Sequence, residues 1–157
     1  MKKIIVIRGP LGVGKTTISK LLAEKLRAEY LSVDEILDKN GLEDPNGISV
    51  ENFLKANEII FKLVNNSKKK FIIDGNFYYR EQIDDLKQKS GDQIIFFTII
   101  SPLEKCLERD TQREKSLGEA STRFVYEITT KITEGFEIDN DDLTAEKTVE
   151  KIMEILE

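Results

Sequence analysis

Short, almost unbroken apolar runs alternate along the chain with longer stretches in which apolar residues recur every three to four positions. Ile4-Ile5-Val6-Ile7 has no polar alternation, the pattern of a strand buried on both faces. Residues 15–28 put Ile18, Leu21, Leu22 and Leu26 on one helical face. The same reading predicts strands at Glu29–Val33, Phe71–Ile73 and Gln93–Ile100, with a weak fifth at Phe136–Ile138. Helices are expected over about 34–39, 49–66 and 80–90. Ser101-Pro102 opens another, with the serine as N-cap and the proline at the first helical position. After the polar segment Ser116–Ser121 a further helix reaches about 134, and Leu143-Thr144 opens the last. The 49–66 helix is expected to bury Phe53, Ile59, Ile60, Leu63 and Val64, and the last helix Val149, Ile152, Ile155 and Leu156.

Nearly all-apolar strands separated by helices indicate an α/β, doubly wound parallel sheet covered on both faces. No repeat, linker or low-complexity tract divides the 157 residues, so 1–157 reads as one domain. Ligands of such sheets sit beyond the carboxyl ends of the strands, and the residues that follow each strand are the ones to weigh.

Composition narrows the chemistry. The net charge of −5 argues against a protein that coats nucleic acid. A single cysteine, Cys106, excludes an internal disulfide and is expected to be a buried helix residue without redox work. With no histidine, a His/Cys zinc site and any histidine-based triad are impossible, so proton chemistry falls to carboxylates, lysines or water. The longest apolar runs, Ile4–Ile7 and Ile94–Ile100, are far below the roughly 20 residues that span a bilayer. The run after Lys2-Lys3 breaks at Arg8, too soon for a signal peptide. A cytoplasmic protein with no membrane association is expected.

Gly9-Pro10-Leu11-Gly12-Val13-Gly14-Lys15-Thr16 matches the phosphate-binding loop G-x-x-x-x-G-K-[ST] at every fixed position, between a buried strand and an amphipathic helix. Its glycines let successive N–H groups turn inward toward phosphate oxygens, and the helix beginning at Lys15 adds its positive end. Lys15 is expected to reach the β- and γ-phosphates and the Thr16 hydroxyl to bind Mg²⁺. A regulatory GTPase would carry D-x-x-G after strand three and N-K-x-D later, and neither occurs.

Strand three ends in Asp74-Gly75, a carboxylate placed to hold a Mg²⁺-bound water or orient an acceptor. Strand two ends in Ser32-Val33-Asp34-Glu35, where Asp34 could take a proton from an acceptor hydroxyl or simply cap the short helix that follows. Six arginines stand against eighteen lysines, and Arg109, Arg113 and Arg123 cluster around the polar break after strand four. Arg109 and Arg113 share a helix face. A planar, permanently charged fork suits transferring phosphoryl oxygens, whereas a solvated face would be served as well by lysine.

These pieces resemble the small P-loop kinases of the nucleoside and nucleotide kinase-like group. The resemblance spans nearly the whole chain: Gly9–Thr17, Ser32-Val33-Asp34, Ile72-Ile73-Asp74-Gly75, Ser101-Pro102-Leu103-Glu104 with Arg109, and Ile138-Asp139-Asn140. It implies an adenylate-kinase-like five-stranded sheet ordered 2-3-1-4-5, acceptor-binding helices within about 34–66, and a short lid over about 110–123. It also implies ATP and Mg²⁺, with Gly9, Leu11, Gly12, Val13, Gly14, Lys15 and Thr16 around the phosphates and Thr17 at the α-phosphate. Arg109 would pack near adenine or phosphates, Asn140 would border the adenine, and Arg113 or Arg123 would close over the transferring group.

Ser101–Asp110 looks like the matching stretch of adenylylsulfate kinases, without their lid elements. Asp74-Gly75-Asn76-Phe77 departs from the Asp-Gly-x-Pro-Arg of nucleoside monophosphate kinases, and the glycine triplet of shikimate kinases is absent. The acceptor is therefore open, with Asp34, Asp74, Asn76, Tyr78, Tyr79 and Arg80 as its expected neighbours; Arg80 hints at an anion. The expected activity is transfer of the γ-phosphoryl of ATP to a hydroxyl or phosphate of a small, nucleoside- or nucleotide-like acceptor, by a monomer or homodimer. Lys15, Asp34, Arg109 and Arg113 are its catalytic candidates, and Thr16 and Asp74 its metal candidates. The alternatives are a nucleotide-binding regulatory module with slow hydrolysis, and a polynucleotide 5′-hydroxyl kinase using Lys68-Lys69-Lys70.

Overall fold

A computed structural model describes residues 2–114 and 116–157. In chain order it contains β1 (Ile4–Arg8), α1 (Lys15–Leu26), β2 (Glu29–Ser32), α2 (Val33–Lys39), α3 (Val50–Asn65) and β3 (Phe71–Asp74). There follow α4 (Arg80–Ser90), β4 (Ile94–Ile100), α5 (Leu103–Thr111), α6 (Glu119–Thr130), β5 (Phe136–Asp139) and α7 (Ala145–Leu156). The strands form one sheet ordered β2-β3-β1-β4-β5, and every neighbouring pair is parallel. This is the order that the kinase resemblance implies.

The alternation within each strand divides the core. Ile4, Val6, Phe71, Ile73 and Phe96 face the layer that contains Val33, Leu37, Phe53, Ile60 and Leu86 of α2, α3 and α4. Ile5, Ile7, Ile72, Phe97 and Ile99 face Ile18, Leu22, Cys106, Val149 and Ile152 of α1, α5 and α7. Burying both faces explains why these strands are so uniformly apolar. Register then aligns the strand ends: Asp74 sits opposite both Ser32 and Ile7, and Arg8 opposite Thr98.

Several details differ from the sequence reading. In α3 the buried stripe is Phe53, Ala56, Asn57, Ile60 and Val64, while Leu63 is 44% exposed and Ile59 is half-buried. Phe53, Asn57, Ile60 and Val64 fall along one line of the helix, and Leu63 sits about a quarter turn away from it. In α7 Ile155 is likewise largely exposed. Pro102, not Ser101, takes the N-cap position of α5, and the buried Ser101 hydroxyl has no hydrogen-bond partner. The cap of α2 is Ser32, whose Oγ accepts from the Glu35 N–H, so Asp34 is not spent on capping.

Arg8, which reads in the sequence as the end of the apolar run, is the last residue of β1 and is fully buried. All five of its N–H groups find acceptors. Nε and Nη2 donate to the Phe77 carbonyl, Nη2 also to Thr129 O, and Nη1 to Thr98 Oγ1 and Ile132 O, at 3.0–3.3 Å. The acceptors are neutral. Burial first, and then nearby Arg80, push its pKa down to about 10 against the opposing pull of Glu134 and Glu137. Arg8→Met is expected to strand three buried carbonyls and lower stability by about 3 kcal/mol, read by urea unfolding. A loss within about 0.5 kcal/mol would mean that water replaces the guanidinium without penalty.

Candidate active site

The loop between β1 and α1 curls over the carboxyl end of the sheet. Gly12 and Gly14 have φ of 78° and 96°, values that side chains disfavour. A side chain at Gly12 would also run into the backbone of Cys106, so α5 packs directly against the loop. Gly14 is the N-cap of α1 and supplies no side-chain cap, and the first turn holds no acidic residue. The N–H groups at this end stay open to an anion.

Three interactions shape the loop. Half-buried Lys15 sends Nζ to the Pro10 carbonyl at 2.7 Å, across the concave side. Burial pushes its ammonium pKa down, while the charges of Asp74 and Asp34 oppose that shift. The Val13 carbonyl accepts from Arg109 Nη1 at 3.2 Å and from Asn140 Nδ2 at 2.8 Å, tying the loop to α5 and to the end of β5. Asn140 is buried behind the loop, with Oδ1 unpartnered, and does not line the cleft.

Beside the loop, Asp74 Oδ2 accepts from Thr16 Oγ1 at 2.8 Å and from the Tyr30 hydroxyl at 2.7 Å. Burial and the adjacent Asp74 charge push the Tyr30 pKa up, which keeps its hydroxyl a donor. Thr16 and Asp74 offer the hard oxygen donors that suit Mg²⁺, an ion usually held by one or two carboxylates together with substrate phosphates. Among the described residues no group of three or more acidic, histidine or cysteine side chains gathers to hold an ion unaided.

A cleft of about 300 Å³ opens between these elements. It is lined by Leu11, Gly12, Gly14, Lys15, Thr16 and Thr17 of the loop and the start of α1, by Ser32, Asp34, Asp74, Gly75 and Asn76 at and after the ends of β2 and β3, and by Arg109 of α5 and Arg113 just beyond it. Asp34 is open to this space yet crowded by protein. That partial desolvation, reinforced by the charge of Asp74, raises its carboxyl above the ordinary range, while Lys15 and Arg113 pull it back.

The polar turn after α5 is folded by Asp110. Its buried carboxylate accepts from Ser116 Oγ at 2.8 Å and from the Leu117 and Gly118 N–H groups at 3.2 Å. Burial disfavours its charge, but these bonds and Arg113 prevail and hold its pKa below the usual carboxylate value. The turn carries Arg113 to the cleft, 3.9 Å from Asp110. Lys115, inside the 110–123 lid range, lies outside the described residues.

Two expected site residues go elsewhere. Arg123 pairs with Glu119 on the exposed side of α6 at 2.9 Å. Arg80 donates to Glu134 Oε2 at 2.8 Å and to the Thr133 carbonyl at 3.2 Å. Neither lines the cleft. Each finds a carboxylate nearer than the site, one a helical turn away and the other on the segment before β5. Tyr78 and Tyr79 pack edge-on against Phe53, and the Tyr79 hydroxyl donates to Ile48 O at 3.3 Å, so both brace the wall from behind. Lys68-Lys69-Lys70 precede β3 at the opposite end of the sheet, where Lys69 pairs with Glu29. Cys106 is fully buried, and burial pushes its thiol pKa up. Tyr30, Asp110 and Arg8 were not anticipated; of these only Arg8, a charge interrupting an apolar strand beside Gly9, left a sequence signal.

A phosphate loop at the head of a 2-3-1-4-5 parallel sheet, with carboxylates after β2 and β3 and arginines after β4, defines a P-loop kinase domain. Residues 4–136 match the family model described as an AAA domain, and the chain belongs to that family. It is 29% identical to a putative adenylate kinase of Thermococcus gammatolerans, over 98% of this chain and 85% of that protein. It is 30% identical to a shikimate kinase of Caldicellulosiruptor bescii, over 98% of this chain and 95% of the relative. The crystal structure of a sugar kinase from Janibacter superposes with a TM-score of 0.80 over 99% of this chain and 95% of that one; at 19% identity the likeness shows a shared fold. The chain is a kinase of the small-molecule class.

The Asp74 hydrogen bonds lend themselves to a direct check. Tyr30→Phe is expected to lower stability by about 1 kcal/mol, measured by urea unfolding. No measurable loss would mean that the tyrosine hydroxyl prefers water to Asp74.

Proposed function

We propose that this kinase moves the γ-phosphoryl group of ATP, with Mg²⁺, onto a hydroxyl group of a small molecule, and that Asp34 is the general base. The observation that carries the reading is Asp34 itself: a carboxylate open to the cleft that the phosphate loop also lines, free of capping duty, with its pKa raised. A base is what a hydroxyl acceptor requires, whereas a phosphate acceptor already carries its nucleophilic oxygen.

Each residue then has a task. The loop N–H groups and the N-terminus of α1 receive the phosphates of ATP, Lys15 reaches the β- and γ-oxygens, and Thr17 lies by the α-phosphate. Thr16 and Asp74 would hold Mg²⁺, which shields the charge on the β- and γ-oxygens when bound. Asp34 takes the hydroxyl proton as the acceptor oxygen bonds to the γ-phosphorus. The bond from that phosphorus to the bridging oxygen breaks, and ADP leaves with the electron pair. Arg109 and Arg113 stabilise the equatorial oxygens, and exclusion of water strengthens every one of these contacts.

Lys15→Ala is expected to abolish transfer and weaken ATP binding, followed by ADP release and calorimetry; full activity would remove the loop from the mechanism. Asp34→Asn is expected to reduce kcat by about 10²–10⁴-fold with little change in the KM for ATP. Because the Asp34 pKa is raised, the acid limb of the wild-type kcat/KM profile should lie above the ordinary aspartate value of about 3.9. Activity falls as pH drops through that raised pKa, and the limb should disappear in Asp34→Asn.

A further inference from the structure

Tyr30 carries a hydroxyl that its place in the sheet does not require. It stands level with Ile72, two residues before Asp74 on the neighbouring strand, so Tyr30 and Asp74 share one face of the sheet. Its ring is half-buried against the layer that contains Ile18 and Ile72, and Lys20 Nζ lies 5.5 Å from the ring centroid. A phenylalanine would make the same apolar contacts. The hydroxyl instead donates to Asp74 Oδ2 at 2.7 Å, and Thr16 Oγ1 donates to that same oxygen at 2.8 Å. Each hydroxyl has a single proton to give, and both go to Oδ2. Among the described residues nothing donates to Oδ1, and Asp74 lines the cleft. The torsion that turns a carboxylate is soft. One bond leaves the group free to pivot, whereas two that converge from separate elements, α1 and β2, fix where Oδ2 sits, and the position of Oδ1 follows.

From this convergence we infer that Tyr30 is a positioning residue for the divalent ion of the nucleotide: sharing Oδ2 with Thr16, it holds Asp74 so that Oδ1 is the oxygen presented to the ion. The inference rests on the assignment of Thr16 and Asp74 to Mg²⁺ above and extends it to a side chain that does not itself line the cleft. The same arrangement orients Thr16, whose proton points at Asp74 and whose lone pairs are thereby left for the ion. Carboxylates that hold metals are themselves hydrogen-bonded, and losing such a partner costs about 10–100-fold in metal affinity.

The test measures binding of the ion and not turnover. Mn²⁺, which suits the same oxygen donors as Mg²⁺, is titrated into the full-length protein holding a non-hydrolysable ATP analogue, and free Mn²⁺ is read by EPR. Protein is kept in excess so that all of the analogue is bound, at a temperature where circular dichroism shows every variant folded. Tyr30→Phe is expected to weaken Mn²⁺ binding about tenfold or more while leaving the affinity for the analogue in EDTA unchanged. Asp74→Asn is expected to weaken Mn²⁺ binding as well, and Tyr30→Phe added to it is expected to cost nothing further, since the tyrosine acts through that carboxylate. A tyrosine that only braces the sheet would lower stability and leave Mn²⁺ affinity alone. Unchanged Mn²⁺ affinity in Tyr30→Phe, with a loss in Asp74→Asn, overturns the inference and leaves the Mg²⁺ assignment standing. An equal loss of analogue affinity in EDTA, or a full further loss in the double variant, also overturns it, because the hydroxyl then acts elsewhere. If Asp74→Asn binds Mn²⁺ as the wild type does, the Mg²⁺ assignment of Asp74 fails, and the inference with it.

Discussion

One buried guanidinium ties together the parts of this protein that must act together. Arg8 ends the central strand immediately before the phosphate loop, and its five donors reach the loop after β3, the side chain of Thr98 on β4 and the exit of α6. Because every partner is a neutral oxygen, the charge is solvated by fixed dipoles in place of a counter-ion. A planar fork with five directed donors can do this; an ammonium with three donors on a flexible stem cannot serve the same set. Phe77, one of the anchors, has a positive φ of 51°, unusual for a bulky residue, and the two hydrogen bonds to its carbonyl help hold that conformation. The loop after β3 and the segment leaving α6 thus meet at one residue of the strand that carries the phosphate loop.

The same economy appears around the loop itself. Val13 offers one carbonyl and receives two donors from opposite directions, Arg109 on α5 and Asn140 after β5. Asp74 offers one carboxylate oxygen and receives Thr16 and Tyr30. Each junction connects elements distant in sequence, so the geometry of the cleft depends on all five strands being in register. Among the described residues the cations of the cleft are Lys15 at the end of the loop, Arg109 on α5 and Arg113 just beyond it, and the carboxylates are Asp34 after β2 and Asp74 at the end of β3.

Membership of the AAA domain family and the 2-3-1-4-5 sheet set the class of chemistry, while the residues after β3 distinguish this chain within it. In Asp74-Gly75-Asn76-Phe77, Gly75 leaves no room for a side chain between Phe77 and Val33, Asn76 turns an unpaired oxygen inward, and Phe77 is buried. The next cation in sequence, Arg80, lies at the start of α4 and faces away from the cleft. This part of the cleft is therefore built as much by what the loop after β3 packs inward as by what it presents to the cleft.

The amino-acid sequence by itself determined the elements, the parallel doubly wound sheet and the phosphate loop. These rest on local periodicity and on a contiguous motif whose glycines have no other reason for their spacing. It also placed Asp34 and Asp74 correctly at the strand ends, because chain order puts the residue after a parallel strand at the ligand edge. Which face of α3 carried Leu63, which residue capped α5, and where Arg80 and Arg123 pointed were decided only in three dimensions. Long side chains choose among partners within several ångströms, and Glu134 and Glu119 were nearer than the cleft. Tyr30 and Asn140 owe their roles to single hydrogen bonds between distant segments, and Asp110 to three bonds that close the turn after it, which no spacing along the chain records. For Arg8 the sequence showed only an interruption in an apolar run; tertiary structure supplied the five acceptors that make burying its charge tolerable.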